Sequence, residues 1–326
     1  MFNALVLTQE EKLTKANVCQ ISESDLPDGD VLVQVACSSL NYKDGLAVSG
    51  AGRIIRNFPM VPGIDFAGTV LESHDERYKA GDKVILTGWG VGENHWGGLA
   101  EKARVKADWL VPMPSDCDAA KAMQIGTAGL TAMLCVQALQ QAGIKPSDGD
   151  VLVTGASGGV GSVAVTLLAQ LGYRVVASSG RVEQNGALLA TLGASEVIER
   201  SVLDVDARPL EKQRWAGVID TVGNKVLATA LAQMQYGGVA AICGLAGGFK
   251  LPTTVMPFIL RGVNLLGIDS VSCPFDKRQQ AWDEVLKLLP ASYYQDACEA
   301  IGLTQVPEFA QRIIKGQITG RVLVQL

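Results

Sequence analysis

Val151 to Arg181 reads VLVTGASGGVGSVAVTLLAQLGYRVVASSGR. Small residues crowd one point in it: Gly155, Ala156, Ser157, Gly158, Gly159 and Gly161. A short apolar run, Val151 to Val153, precedes them, and an apolar helical pattern from Val163 to Leu171 follows. Gly172-Tyr173 breaks that pattern before a second β-branched run, Arg174 to Ala177. Strand, tight turn, helix and strand within about 30 residues make one βαβ unit. Such a turn offers the first N–H groups of a helix, and the positive end of its dipole, to an anion. The glycines let the backbone approach a pyrophosphate with no Cβ in the way. The chemistry indicated is dinucleotide binding by Ser157, Gly158, Gly159, Val160 and Gly161. The strict G-x-G-x-x-G spacing is not met, because Ala156 stands where the first glycine would be. A glycine-rich turn in an unrelated α/β protein is the competing reading; the legible flanking strand and helix favour the first.

The end of the second strand selects the nucleotide. An NAD site places Asp or Glu roughly 20 residues past the glycines, on the ribose 2′-hydroxyl. Here the segment is Ser178-Ser179-Gly180-Arg181, with no acid before Glu183. A hydroxyl, a flexible glycine and a guanidinium suit a 2′-phosphate, so NADPH is expected over NADH at Ser179, Gly180 and Arg181. The alternative is an Arg181 that merely starts the next helix in solvent. Arg200, just past the third strand, is placed to reach the adenine or its phosphate, and is equally ordinary as a solvated arginine.

Further strands must position these groups. Glu196 to Ile198, Trp215 to Asp220, Gly238 to Cys243 and Val263 to Ile268 follow the first two, with a helical pattern over Gln184 to Leu192. This alternation predicts an α/β fold, a doubly wound parallel sheet with helices on both faces. Ligands of such sheets bind at the carboxyl ends of the strands. Cys243, Gly244 and Leu245 after the fifth strand, and Ile268 to Ser270 after the sixth, are therefore expected along the nicotinamide half.

The first 110 residues read as mostly β. Asn3 to Thr8, Asp30 to Cys37, Phe66 to Leu71, Lys83 to Leu86 and Ala100 to Val105 are strand-like runs between turn signals, as in a small β-rich barrel. Residues 117–142 carry a helical pattern broken near Gly126. Lys277 to Leu289 is amphipathic, with Trp282, Val285, Leu286 and Leu289 on one face, and a helix over Val306 to Lys315 precedes a last strand, Val322 to Gln325. That tail is expected to return to the first domain. The division predicted is 1–123 with 272–326, around a nucleotide-binding domain of 124–271.

Composition excludes several classes. Net charge is −5 and no basic run appears, which argues against nucleic acid as a partner. The seven cysteines are scattered and never form a C-x-x-C pair, so neither a disulfide framework nor a structural zinc lobe is expected. The two histidines, His74 and His95, have no His or Cys partner at a ligand spacing, and a catalytic zinc needs three protein ligands; no metal is expected. No leader pattern opens the sequence and no apolar run reaches about 18 residues, so no membrane association and a cytoplasmic location are expected.

Several short stretches carry a family resemblance: Asn41-Tyr42-Lys43-Asp44, Pro62-Gly63-Ile64-Asp65, Gly81-Asp82-Lys83-Val84, Gly97-Gly98-Leu99-Ala100-Glu101, Gly126 to Ala132, the glycine turn, and Gly320-Arg321-Val322-Leu323. In this order, over nearly the whole length, they resemble the zinc-independent medium-chain dehydrogenase/reductases of the quinone-oxidoreductase-like branch. Ile54 to Gly68, Leu86 to Glu101 and Leu251 to Ser270 are similar to the bacterial acrylyl-CoA reductase subgroup. The resemblance implies a GroES-like catalytic domain, a Rossmann domain binding NADPH, and a homodimer pairing the last Rossmann strands. Zinc-dependent relatives have a cysteine where Asn41 stands, and Gly-His-Glu where this chain has Gly63-Ile64-Asp65.

Reduction of an activated C=C bond fits this branch. Hydride reaches the β-carbon, charge develops on the carbonyl oxygen, hydrogen-bond donors lower the barrier, and a proton goes to the α-carbon. By resemblance, Tyr42 faces the nicotinamide as proton donor or as a packing and hydrogen-bonding contact, Asn41 shares the catalytic loop, Lys43 and Asp44 shape it, and Thr127 lies under the nicotinamide. His95 is either catalytic or orders its loop. Arg53, Arg56 and Arg261 are candidates for the phosphates of a CoA substrate, or else ordinary surface cations. An enoyl-CoA (acrylyl-CoA) reductase, a quinone or enone reductase, and a non-catalytic NADPH-binding protein are the competing functions.

Overall fold

A computed structural model describes residues 1–326, which form two compact units. One comprises Met1–Thr127, Ser270–Asp283 and Cys298–Leu326; the other comprises Ala128–Asp269 and Glu284–Ala297.

The second unit is built on a six-stranded sheet in the order Glu196–Glu199, Val175–Ser179, Asp150–Thr154, Trp215–Asp220, Met234–Ile242, Asn264–Gly267. All neighbours are parallel. The inner strands are nearly continuous apolar runs because both faces are covered, as parallel sheets require. Leu152, Val176, Val218 and Ala240 pack with Leu227, Ala230 and Leu231 of the Asn224–Ala232 helix. The chain starts in the middle of the sheet, works outward through Val175–Ser179, then restarts on the other side with Trp215–Asp220. The strand order therefore reverses beside Asp150–Thr154, and the glycine turn that follows this strand lies at the switch point where α/β sheets bind ligands.

The first unit holds a seven-stranded sheet and a two-stranded hairpin. Val31–Ser39 pairs antiparallel with Asp65–Ser73, with Lys102–Val105 and with the tail strand Arg321–Gln325. The tail register sets Leu323 opposite Ser39, and Leu40 N–H donates to Val322 O at 2.9–3.0 Å spacing typical of a ladder, here 3.0 Å. This register carries Arg321 to Asn41.

Three local features depart from the sequence reading. Leu13–Ile21 is a strand paired with Phe2–Glu10; its polar, exposed pattern and its Glu11-Lys12 turn, at φ 48° and 71° without glycine, give no strand signal. The Asn41–Asp44 stretch, read as a loop, starts a helix over Tyr42–Ser49. The Phe275–Leu288 helix begins in one unit and ends in the other, so Glu284–Ala297 groups with the parallel sheet. One helix, Ala119–Gln141, is long and apolar enough to cross a membrane; most of that stretch is buried, and it kinks at Gly126.

Candidate active site

In the first unit, Asn41, Asp44, Asp65, Thr127 and Arg321 converge. Asn41 is buried and caps the Tyr42–Ser49 helix with its backbone: Asp44, three residues on, accepts Asn41 N–H at 2.8 Å. The Asn41 side chain is turned elsewhere. Its Nδ2 donates to Asp65 Oδ2 at 2.9 Å, while its Oδ1 accepts from Arg321 Nη1 at 3.3 Å. Both ends of the amide are thus used inside the unit, and Asn41 positions the helix rather than meeting a substrate. Asp65 also accepts Ser39 N–H at 3.0 Å, Ser39 Oγ–H at 2.7 Å and Thr127 N–H at 2.8 Å. Arg321 Nη2 donates to the same Ser39 Oγ at 2.7 Å, and its Nε donates to Gln124 O at 3.1 Å.

Gly126 makes this convergence possible. It sits at φ 53° and ψ −160° inside the Ala119–Gln141 helix. A Cβ there would lie 2.6 Å from Arg321 Nη2 and 2.9 Å from Asp65 Oδ2, closer than real Cβ contacts. The kink also aims Thr127 N–H at Asp65.

Asp44 is fully buried and its other oxygen accepts Gly63 N–H at 3.1 Å and Ile64 N–H at 3.0 Å. Burial, then the nearby Asp65 carboxylate, push its carboxyl up to about 7, against the opposing pull of the N–H donors. Asp44 fastens the helix start to the Gly63-Ile64 turn. Tyr42 is the first residue of that helix and is 38 % exposed, between the buried Asn41 and the half-buried Lys43. Lys43 pairs with Glu93 at 3.0 Å, bracing the glycine-rich loop. His95 in that loop bonds through Nε2 to Arg104 O at 2.7 Å and packs edge-on against Trp109. Burial lowers its pKa, and these contacts give it a loop-ordering role.

In the second unit the candidate cofactor residues line the carboxyl ends of the strands. The helix Gly159–Gln170 starts at the turn, capped by Gly158. A Cβ on Gly161 would lie 2.3 Å from Gly155 O, so glycine is what lets this turn close. Ser157 Oγ and Ser179 Oγ are 3.2 Å apart, and Ser179 Oγ accepts Arg181 N–H at 3.1 Å. The Arg200 guanidinium carbon lies 3.2 Å from where a Gly180 Cβ would stand. Two guanidinium-bearing residues and a buried hydroxyl pair thus gather at one strand end, and the second strand itself ends in serines rather than an acid. This set fits a 2′-phosphate: two cations and hydroxyl donors replace the acid of an NAD site.

Cys243 leaves the fifth strand beside Asp220, donating its N–H to Asp220 O at 3.0 Å. Gly244 passes so near Thr221 that a Cβ would meet Thr221 O at 2.1 Å, and Leu245 beyond it is exposed. Ile268 N–H continues the last strand pair by donating to Ile242 O at 2.9 Å. Ser270 belongs to the first unit, where its carbonyl accepts from the buried Arg278 at 3.1 Å.

Arg53 and Arg56 are exposed in an irregular segment. Arg261 corrects the sequence reading. Its guanidinium donates to Ala232 O at 2.8 Å, Met234 O at 3.0 Å and Glu211 O. It closes the carboxyl end of the Asn224–Ala232 helix, where orphan carbonyls need donors, and is committed there rather than to a substrate phosphate.

The sequence reading missed three participants. Asp65 and Arg321 were visible only as marks of resemblance, since nothing local pairs them. Asp220 is buried at the end of a central strand and accepts Thr154 Oγ1–H and Gly223 N–H, both at 2.7 Å. Burial raises its pKa. It ties the end of the strand that leads into the glycine turn to the neighbouring strand end. No group of three His, Cys, Asp or Glu side chains has metal-binding geometry.

Residues 27–115 match the alcohol dehydrogenase GroES-like domain, and residues 159–290 match the family described as zinc-binding dehydrogenase. The chain is 62% identical over 323 residues to a probable acrylyl-CoA reductase of Escherichia coli, covering 99% of each. The chain belongs to the medium-chain dehydrogenase/reductase family. Within the quinone-oxidoreductase-like branch of these reductases it is also 47% identical to a putative quinone oxidoreductase of Bacillus subtilis, over 100% of this chain and 99% of that one. The crystal structure of E. coli YhdH with bound NADPH superposes with a TM-score of 0.97 at 63% identity, covering 99% of each chain. In this reductase the position of the zinc-ligand cysteine is held by Asn41, and Ile64-Asp65 replace His-Glu, so the polar groups there are the Asn41 amide and the Asp44 and Asp65 carboxylates, already bonded to N–H groups.

Proposed function

We propose that this reductase uses NADPH to saturate the C=C bond of an α,β-unsaturated acyl-CoA, with acrylyl-CoA as substrate and propionyl-CoA as product. The observation that carries this reading is the 62% identity, over almost all of both chains, to a probable acrylyl-CoA reductase. The cationic strand end at Ser179, Gly180, Arg181 and Arg200 supports the cofactor assignment, as does the NADPH-bound relative.

NADPH, when bound, supplies a hydride to the β-carbon of the thioester. The chain's residues divide the remaining work. The turn Ser157 to Gly161, which leads into the helix, would hold the pyrophosphate on backbone N–H groups, and Arg181 and Arg200 would hold the 2′-phosphate. The exposed Tyr42 phenol bonds the thioester carbonyl, where negative charge develops, or delivers the proton to the α-carbon. Asn41, Asp65, Asp44 and Arg321 keep Tyr42 in place by fixing the start of its helix. Arg53 and Arg56 are the cations offered to CoA phosphates.

The reductase works as a homodimer in the cytoplasm, without nucleic-acid or membrane partners. The Asn264–Gly267 strand is at the sheet edge with one side unpaired, and Phe249, Val255, Ile259 and Leu260 are exposed in the same unit. An open edge with apolar residues is a surface that proteins cover.

A second reading, reduction of quinones or simple enones, is favoured by the 47% identical relative. A screen of NADPH oxidation against acrylyl-CoA, crotonyl-CoA, acrolein and a quinone separates the two. Turnover of the thioesters at a kcat/KM well above that for the quinone supports the proposal; turnover of the quinone alone refutes it. NADPH binding without oxidation by any of the four leaves a non-catalytic binding protein.

A further inference from the structure

The segment Glu284–Ala297 returns to the parallel-sheet unit after the chain has contributed Ser270–Asp283 to the other unit. Its Tyr293 is fully buried. The Tyr293 hydroxyl lies 3.0 Å from Ser162 Oγ. Ser162 is also fully buried, in the first turn and a half of the Gly159–Gln170 helix, and its Oγ–H donates to Gly159 O at 3.3 Å. The Tyr293 and Ser162 hydroxyls share one hydrogen bond, and Ser162 Oγ reaches Gly159 O through a second. The three groups form a continuous link from the returning segment to the first residue of the helix. A second tie, Gln137 Nε2 to Glu284 Oε2 at 2.9 Å, holds the same segment to the Ala119–Gln141 helix.

Gly159 needs such a hold. Glycine turns lose more conformational freedom on ordering than any other residues, and the N–H groups of a first helical turn have no intrahelical acceptor to fix them. Preorganised donors bind an anion more tightly than donors that must be ordered on binding.

We infer that Tyr293 is a positioning residue for the cofactor pyrophosphate, holding Gly159 in place through Ser162. This rests on the reading of the glycine turn as the NADPH site. The link acts on the pyrophosphate end of the turn and leaves the 2′-phosphate seat at Ser179 to Arg181 untouched.

The test compares two ligands by calorimetry: NADPH, and adenosine 2′-phosphate, which carries the 2′-phosphate but no pyrophosphate. Tyr293→Phe removes one hydroxyl. It is expected to raise the Kd for NADPH about fivefold, the factor of one net hydrogen bond, with the Kd for adenosine 2′-phosphate unchanged. Ser162→Ala interrupts the same link and is expected to give the same split, and the double variant no more than either single one. The inference is overturned if NADPH affinity is unchanged in both single variants, or if both ligands weaken equally, which is general loosening. A wild-type protein that binds no NADPH refutes the cofactor reading instead.

Discussion

Asn41 and Arg321 lie 280 positions apart in the chain, yet Arg321 Nη1 donates to Asn41 Oδ1 at 3.3 Å. The opposite end of the same amide donates to Asp65. An arginine, an amide and an aspartate, joined also through Ser39 Oγ, therefore set the start of the helix that presents Tyr42.

Removing that amide leaves partners unpaired. Asn41→Ala is expected to cost about 1–3 kcal/mol of unfolding free energy, the range for stranding a buried polar group, measured by urea denaturation. It is also expected to lower kcat more than it raises the KM for NADPH, because the phosphate-binding candidates Ser157 to Gly161, Arg181 and Arg200 belong to the other unit.

Gly126→Ala drives a methyl group into Arg321 Nη2 and Asp65 Oδ2 and strains a backbone at φ 53°. A loss of roughly 2–4 kcal/mol is expected, since strain and overpacking add. Thermal unfolding should show it as a Tm drop larger than that of Gly172→Ala, where a Cβ would meet nothing within 4 Å.

Asp44 gives the pH dependence. Its carboxyl is raised from an ordinary 3.8 to about 7 by burial and by Asp65. The folded protein therefore holds the proton more tightly than the unfolded chain. The stability contributed is full below about pH 4 and is lost as pH rises through about 7. Unfolding free energies measured across that interval should fall with rising pH, and Asp44→Asn should flatten the part of the slope that this group supplies.

The 2′-phosphate seat is tested by Arg181→Ala and Arg200→Ala. Each is expected to raise the KM for NADPH about 10- to 100-fold, the scale of a lost charged hydrogen bond, with the KM for NADH nearly unchanged. Equal effects on both cofactors would place these arginines elsewhere.

The parallel-sheet half was legible because its signals are local. The run Val151 to Val153, the glycines and the missing acid before Arg181 sit side by side, and the six strands expected from the sequence form one parallel sheet. The helix at Tyr42 was not legible as a helix. Its first turn depends on Asp44 accepting from Asn41, Gly63 and Ile64, and the last two contacts are tertiary. Arg261 shows the converse: as a sequence position it is a candidate cation for CoA phosphates, but the carbonyls of Ala232 and Met234 occupy it. Tyr293 carried no signal at all, because its value lies in which helix the returning segment reaches.

Hydride delivery from NADPH to the β-carbon of acrylyl-CoA can be followed atom by atom. The most direct measurement incubates the protein with acrylyl-CoA and NADPH deuterated at the transferring carbon, then locates the label in the product by mass spectrometry and NMR. Propionyl-CoA with one deuterium on the β-carbon and a solvent proton on the α-carbon is the expected product. Deuterium at the α-carbon, or oxidation of NADPH without formation of propionyl-CoA, would contradict it.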